Sequence, residues 1–505
     1  MEQNKTKIKI SSKQEDYSQW YLDVAKAGDL FEYSPTPGCI VFKPKAVTLW
    51  EKMKLEMNRD LMFLGVQNLY LPLLIPMSFF EKEKEHVEGF APELAVVTIG
   101  GGNELDDKLA IRPTSETMFC EYFRGELQSY RDLPILTNQW CNIFRWEKRT
   151  RPFLRTAEFH WQEGHTLHET KVEANNFSLD ILHNVYAKNL KEFMAIDGIA
   201  GQKSESEKFA GAEKTYTYEP MMSNGRALQI CTSHLLGQGF MKQFDVSFQG
   251  REGVKEFPSY TSWGLSTRSI GGLISSHSDQ KGLIIPPKMS EYSAVILPIF
   301  GKDNFEAVDN YIKDISKNLI GEFNTNGIPV KGEYFKAFVG ANGSKIMVDY
   351  RDARFGEKIT DFELSGYPVA IVVGQKEMEE NLCTVISRIT GEKIQVKVSE
   401  VSATVEDFFS KGQAQLFAAS KARLENNIVP CYSIEEIGKA IEDSKFAIYE
   451  WDASDNIKDS KLEAEIKDKF KATTRCIPNE GQFKTIDDFE LKRKDTIKVI
   501  IARAF

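Results

Sequence analysis

Between Phe144 and His165 the chain concentrates side chains suited to chemistry on anions. Phe144-Arg-Trp-Glu147 and Arg155-Thr-Ala-Glu-Phe-His-Trp-Gln-Glu-Gly-His165 read as two strands joined by a basic, turn-forming loop, Lys148-Arg-Thr-Arg-Pro152. Successive strand side chains alternate faces, so Arg145 and Glu147 share one side, and Arg155, Phe159, Trp161, Glu163 and His165 share one side of the next strand. Cations, carboxylates, an imidazole and aromatic rings facing a core would leave charge buried and unpaired, at a cost of several kcal/mol per ion. Such a face calls for a polyanionic or zwitterionic ligand, or else it is a salt-bridged solvent face.

Three other segments carry comparable groups. Arg112-Pro-Thr-Ser-Glu-Thr117 reads as a helix start with Thr114 as cap and Glu116 at the positive end of the dipole. Gln229-Ile-Cys-Thr-Ser-His-Leu-Leu-Gly237 reads as a strand entering a helix at Thr232 or Ser233, with His234 partly buried. In Trp263-Gly-Leu-Ser-Thr-Arg-Ser-Ile-Gly-Gly272, Gly264 allows close backbone approach, and Arg268 sits at a helix start, where a cation opposes the dipole unless an anion lies there. His160, His165, His168 and Glu163 have the types of metal ligands, but strand alternation puts His160 on the opposite face from Glu163 and His165. Cys231 has no basic neighbour in sequence and reads as structural.

The elements that must position these groups follow from periodicity. Residues 11 to 64 look helical, clearest from Trp50 to Leu64 with Gly65 as the stop, and Leu69 to Pro76 reads as a proline-broken strand. Strands and helices then alternate to Ser275, with a helix over Ser178 to Met194, and Pro286-Pro287 marks a boundary. Beyond it, strands at Ala294 to Phe300, Val369 to Val373 and Ile394 to Val398 with a helix over Phe305 to Phe323 suggest a compact doubly wound domain. A helix over Val405 to Glu425 leads to a third region.

At 505 residues and 42% hydrophobic content the chain supports two to four domains. Its apolar runs are strand-sized, and Met1 to Ile10 lacks the features of a signal or transit peptide, so a soluble cytoplasmic protein is expected. Seven scattered cysteines argue against a disulfide framework. A net charge of −9 does not advertise a nucleic-acid binder, although local basic surface can still grip RNA.

Phe144-Arg-Trp-Glu147 and the strand after it resemble the second signature motif of class II aminoacyl-tRNA synthetases. The wording Arg-Pro-Phe-Leu-Arg-Thr, followed by Glu-Phe-His-Trp-Gln-Glu-Gly-His, is similar to prolyl-tRNA synthetases of the eukaryotic and archaeal type. The resemblance runs over nearly the whole chain. It implies an α+β catalytic domain built on an antiparallel sheet (residues 1–288), an α/β anticodon-binding domain (289–400) and a small α+β C-terminal domain (401–505). The implied reaction joins proline to its tRNA through a prolyl-adenylate. Alternatives are a class II synthetase for another amino acid, and a non-catalytic paralogue that binds tRNA or partner proteins.

The resemblance also implies roles. Arg145 would bridge the proline carboxylate and the ATP α-phosphate, and Arg268, in a segment like the third class II motif, would bind the γ-phosphate. Phe90, Thr114, Glu116, Trp161, Glu163, His165, His234, Trp263, Gly264 and Ser266 would hold proline. Glu147, Arg155, Thr156, Phe159, Gln229 and Thr232 would hold ATP, with Mg²⁺ on its phosphates. Arg351, Lys358, Glu363 and Arg388 would serve the anticodon. A homodimer is expected, built on the long helix and the proline-ended strand that resemble the first motif, with no DNA or membrane partner.

Two features depart from relatives. Only Cys431 and Cys476 follow residue 400, and His277 is the last histidine, so the four-ligand zinc site of many relatives is not expected. The chain closes on Arg503-Ala-Phe505 where relatives have a terminal tyrosine; the phenylalanine ring is expected to pack but has no hydroxyl to offer. Some bacterial relatives carry an editing domain between the second and third motifs; the interval from Thr170 to Pro220 is too short for one.

Overall fold

The computed structural model describes residues 9–81, 94–301, 303–452 and 461–505. Its first helix, α1 (Tyr17–Ala27), is capped by the Asp16 side chain accepting from the Gln19 amide and buries Trp20, Tyr21, Val24 and Ala25. Helix α2 (Pro44–Phe63) has proline in its first turn and buries Leu49, Trp50, Met53, Met57 and Leu61, the three-and-four spacing of an amphipathic face. The expectation of helix throughout residues 11 to 64 fails between them. Pro35, Pro37 and Gly38 cannot sustain a helix, and Phe31–Tyr33 pairs with Ile40–Phe42 as a hairpin instead.

The central sheet is antiparallel through six strands: β1 (Ile135–Phe144), β2 (Glu158–His168), β3 (Ile199–Gln202), β4 (Lys214–Glu219), β5 (Cys231–Gly237) and β6 (Ser259–Ser266). Their spatial order is β3-β4-β5-β6-β2-β1. Strand β1 stops at Phe144 and β2 starts at Glu158, so Arg145, Glu147 and Arg155 lie on the connecting loop rather than on strands. Residues 231–237 form β5 and do not open a helix; the next helix begins at Gly239. Hydrogen bonding to β4 on one side and β6 on the other outweighs the local capping preference of Thr232 and Ser233. Helix α3 (Glu116–Glu126) is preceded by Ser115, so Thr114 lies one position too early to cap it. Helix α4 (Arg268–His277) begins at the expected arginine.

The sheet does not end with these six strands. Thr473–Pro478 pairs with β3 and continues it through Thr496–Ala502 and Phe446–Asp452 to Ile428–Cys431, while Gln67–Asn68 joins the far edge beside β1, giving eleven strands. The C-terminal region is therefore welded to the central sheet by backbone hydrogen bonds. Its last residues return to the segment that precedes β5, with the Phe505 amide donating to Ala227 O (3.1 Å) and the ring 6.3 Å from Tyr17.

A second sheet of seven strands spans Ala294 to Lys397. Only Lys345–Asp349, Ala294–Pro298 and Val369–Val373 run parallel; the flanking strands are antiparallel, so the domain is mixed rather than doubly wound throughout. Two of its expected RNA-reading residues turn inward. The Lys358 ammonium is buried and donates to Pro298 O and Asp349 O (both 2.9 Å), and Arg388 is buried in a bidentate pair with Asp279, just after α4 (2.7 and 2.9 Å). These groups hold the domain together and dock it, and they are not presented to bases. Arg351 pairs with Asp349 and Asp361, and Glu363 with Lys281, all but Asp349 at positions that solvent still reaches. Among the described residues no helix is long and apolar enough to cross a membrane.

Candidate active site

The ladder of the central sheet assembles the site in rows. Trp161 lies opposite Ser266; Glu163 lies opposite Gly264, which faces Thr232; His165 lies opposite Ser262, which faces His234. Since side chains alternate, β2, β5 and β6 turn these residues to one face of the sheet. The loops after β1 and before β2 lay Arg145, Glu147, Arg155 and Thr156 over one end, and α3 and α4 add Glu116 and Arg268. Together with Thr114 and Gln229 they line a cavity of about 270 Å³.

At the β-sheet end the cavity is carboxylate-rich and tightly held. Glu163 accepts from Ser115 Oγ and Gln139 Nε2 (both 2.6 Å) and from His165 Nε2 (3.3 Å). Burial raises its carboxyl, but the hydrogen bonds from His165 and Ser115, with His165 and Arg112 as charges, outweigh it and hold the group down at about 2. His165 is fixed by Tyr260 OH at 2.5 Å and by stacking on Phe119 at 3.9 Å between centroids. Thr114 donates to the Glu116 carboxylate. His234 sits between Thr215 Oγ1 (2.9 Å) and Thr232 Oγ1 (3.0 Å), and burial pushes it down to about 4, so it is neutral at pH 7.

At the loop end the cavity is cationic. Arg145 is steadied by Pro113 O (3.1 Å) and lies over Phe159 and Trp161 at 5.7 and 5.5 Å. Arg155 pairs with Glu147 at 2.7 Å, and Thr156 Oγ1 donates to Glu158 O at 2.7 Å. Arg268 is anchored on Leu154 O (3.1 Å) and Gln229 O (3.2 Å); burial, with Arg145 and Arg155 close by, lowers it to about 10. Cations brought so close are relieved by an anion among them. Trp161 Nε1 and Ser262 Oγ, both buried at the cavity, have no hydrogen-bond partner among the described residues and would be satisfied by a ligand acceptor.

Two glycines make the site possible. A Cβ on Gly264 would come within 2.6 Å of the Trp161 ring, and one on Gly164 within 2.0 Å of the Trp263 ring. Trp263 is among the residues that line the cavity, but its indole does not face the row of Glu163 and His165. The Trp263 ring lies on the opposite face, over Gly164 and 6.5 Å from Tyr186, so its side chain builds the core beneath the cavity. His160, also on the far face, sits against Phe42 (5.0 Å), and His168 bonds Thr166 (2.8 Å). Phe90 lies outside the described residues.

Glu207, Phe209 and Thr215 also line the cavity, and sequence reading did not find them. They follow β3 in a stretch without local signal; Phe209 reaches the site by packing on His234 at 4.7 Å. Gln139, directly opposite Glu163 in the β1–β2 register, could have been found from strand pairing alone.

The depressed Glu163 carboxyl gives a stability signature. A folded-state value below the ordinary one contributes stability that is present above about pH 4.5 and lost as pH falls toward 2, here about 3 kcal/mol in order of magnitude. The stability gap between wild type and Glu163→Gln, read from urea midpoints, is expected to be full at pH 7 and to shrink steadily from pH 4.5 to 3. A gap independent of pH would refute the assignment.

Comparison with known proteins agrees with this geometry. Residues 97–277 match the family described as "tRNA synthetase class II core domain (G, H, P, S and T)", and residues 294–408 match "Anticodon binding domain". The chain is 44% identical to "Proline--tRNA ligase" of Chlorobaculum tepidum over 478 residues, 94% of each chain. It is 43% identical to "Proline--tRNA ligase 2" of Clostridioides difficile, covering 94% of this chain and 93% of that one, and 41% identical to "Proline--tRNA ligase" of Mycoplasma mobile over 93% of both. With a class II core, an anticodon-binding domain and this degree of identity along nearly its whole length, the chain belongs to the proline–tRNA ligase family of class II aminoacyl-tRNA synthetases.

Proposed function

We propose that the cavity activates proline with ATP and passes the prolyl group to tRNA, and that its two ends divide the work. The secondary ammonium of proline meets Thr114 and Glu116, with Glu163 and His165 behind it, and the ring rests along Trp161, Gly264, Ser266 and His234. Glu147 reads the adenine edge, Phe159 stacks on the base, and Thr156, Gln229 and Thr232 contact the nucleotide. Arg155 and Arg268 take the outer phosphates, while Arg145 spans the carboxylate and the α-phosphate. The proline carboxylate attacks the α-phosphorus in line and pyrophosphate leaves. The terminal ribose hydroxyl of the tRNA then attacks the prolyl carbonyl and AMP departs.

Charge builds on the α-phosphate oxygens as the bond forms, and arginines held by Pro113 O, Leu154 O and Gln229 O need no reorganisation to meet it. No enzyme nucleophile takes part, and Mg²⁺ arrives as part of the ATP substrate. The observation that carries the reading is the junction of a carboxylate-lined amine pocket with three converging arginines in one cavity. ATP–pyrophosphate exchange tested with all twenty amino acids is expected to respond to proline, and response to a different amino acid would overturn the assignment.

The remaining features follow the same reading: a cytoplasmic homodimer of the eukaryotic and archaeal type, with no DNA or membrane partner and no structural zinc. Cys431 and Cys476 support the last point, because their strands are separated by two others. At strand spacing that is ~14 Å, too far for one tetrahedral site. The interval between β2 and β5 is occupied by the helical segments of Lys171–Glu192 and by β3 and β4, all integral to the central sheet or packed on it. A proline pocket rejects the smaller alanine by only about 1 to 3 kcal/mol, so alanyl-tRNA is expected to form and to persist with the pure protein. Its rapid hydrolysis would contradict this.

A further inference from the structure

Outside the cavity, three cations converge without an anionic partner among the described residues. Arg226, Lys445 and Arg503 line a recess of about 220 Å³ with Asn224, Gly225, Ile441 and Ser444. No described carboxylate pairs with any of the three, and the side chains of Arg226 and Lys445 make no hydrogen bond to the described residues. Arg503 is steadied by one bond, Nε to Phe470 O at 2.9 Å. Burial, then Arg503 and Arg151, lower the Arg226 guanidinium, the mark of like charges held together.

The recess is built rather than incidental. Gly225 (φ +74°) presses on Ser444 (φ +59°), and a Cβ at Gly225 would come within 2.0 Å of Ser444 O, so the catalytic loop and the C-terminal domain meet through two left-handed turns. The junction is reinforced two residues on, where the Ala227 amide donates to Arg503 O at 2.8 Å. The backbones that carry Arg226 and Arg503 are thereby held side by side from regions far apart in sequence.

We infer that this recess is a phosphate-binding site at the junction of the catalytic and C-terminal domains, and that the phosphate it takes is a backbone phosphodiester of the tRNA. Forked guanidiniums, an ammonium, an amide and a hydroxyl suit tetrahedral phosphate oxygens. Position favours RNA as the source. Gln229, which lines the catalytic cavity, is three residues from Arg226, at most ~10 Å of extended chain. The strand that delivers its terminal ribose to that cavity must cross adjoining surface, and Arg151, whose charge reaches Arg226, lies in the loop bordering the cavity. The inference rests on the tRNA-charging reading, and the two fail separately: loss of that reading shows as absent proline-dependent exchange in the wild type.

The test uses full-length Arg226→Glu/Lys445→Glu, which removes no side-chain hydrogen bond to the described residues, with Arg226→Lys as the conservative variant. Proline-dependent ATP–pyrophosphate exchange without tRNA is expected to stay within about twofold of wild type, while KM for tRNA in aminoacylation rises about tenfold or more. The slope of log KM against log salt should fall by roughly 0.7 to 0.9 for each phosphate no longer neutralised. Arg226→Lys should recover most of the tRNA affinity. A second arm titrates inorganic phosphate by calorimetry into wild type and double variant, each with its catalytic cavity filled by a non-hydrolysable ATP analogue. Binding abolished by the double change, with tRNA KM unaltered, would keep a phosphate site but assign it to a free phosphate and overturn the RNA assignment. Unchanged tRNA KM together with unchanged anion binding would overturn the proposal outright.

Discussion

Arg145→Ala and Arg268→Ala are each expected to slow proline-dependent ATP–pyrophosphate exchange by at least about a hundredfold, the usual cost of losing a donor aimed at developing transition-state charge. Both guanidiniums are preset by backbone carbonyls, Pro113 O for Arg145 and Leu154 O with Gln229 O for Arg268, so their stabilisation is available without rearrangement. The two should differ in detail. Arg145, poised over Phe159 and Trp161 between the amine pocket and the other arginines, should act chiefly on kcat. Arg268, with the charge of Arg155 close by, should also raise KM for ATP when replaced, as the proposed hold on the nucleotide's outer phosphates requires. Lysine at 145 should rescue little, since an ammonium lacks the fork that spans two anions. Near-normal exchange in either alanine variant, with the fold intact by circular dichroism, would remove that residue from its role.

Glu219→Gln is expected to destabilise the protein by about 3 kcal/mol or more, the range for breaking a buried ion pair from one side. Glu219 is fully buried on β4 between Lys203 Nζ (2.6 Å) and the Arg475 guanidinium (3.0 and 3.2 Å), both of them buried as well. One buried carboxylate bridges two buried cations; neutralising it leaves both without their bonded counter-charge in a place water does not reach. Despite its burial, Arg475 and Lys203 keep the Glu219 carboxyl below the usual range. The combined change Lys203→Met/Glu219→Leu/Arg475→Met should cost far less, because an apolar replacement leaves no orphaned charge. Urea unfolding of the full chain decides the matter: a Glu219→Gln midpoint equal to wild type would show that the carboxylate does not stabilise the cluster. Since Arg475 belongs to the C-terminal strand Thr473–Pro478 and Glu219 to the catalytic sheet, the same experiment probes what joins the two regions.

The chemistry of the site was legible in sequence where a strand carried it. Phe159, Trp161, Glu163 and His165 alternate along β2 and do share one face, because a two-residue period is a property of the backbone and needs no partner. Arg268 at the start of α4 was legible for a similar reason: a cation opposing a helix dipole stands out locally. The long helices α2 and Val401–Glu425 and the strand Val369–Val373 could be placed by period and punctuation within a few residues.

Tertiary structure decided what depends on partners distant along the chain. Thr232 and Ser233 have the composition of a helix cap, yet strands on both sides make them β5. Trp263 has the right neighbours for a pocket wall, but the register against Gly164 turns its ring to the other face. The resemblance implies an anticodon role for Lys358 and Arg388, yet both are buried and engaged by Pro298 O, Asp349 O and Asp279. Local propensity is worth tenths of a kcal/mol per residue, whereas sheet pairing and the burial of a charge are worth several. Sequence alone therefore placed the alternating face of β2 and the arginine that opens α4. The assignment of every charged group to ligand, core or domain junction was left to the contacts that only the folded chain brings together.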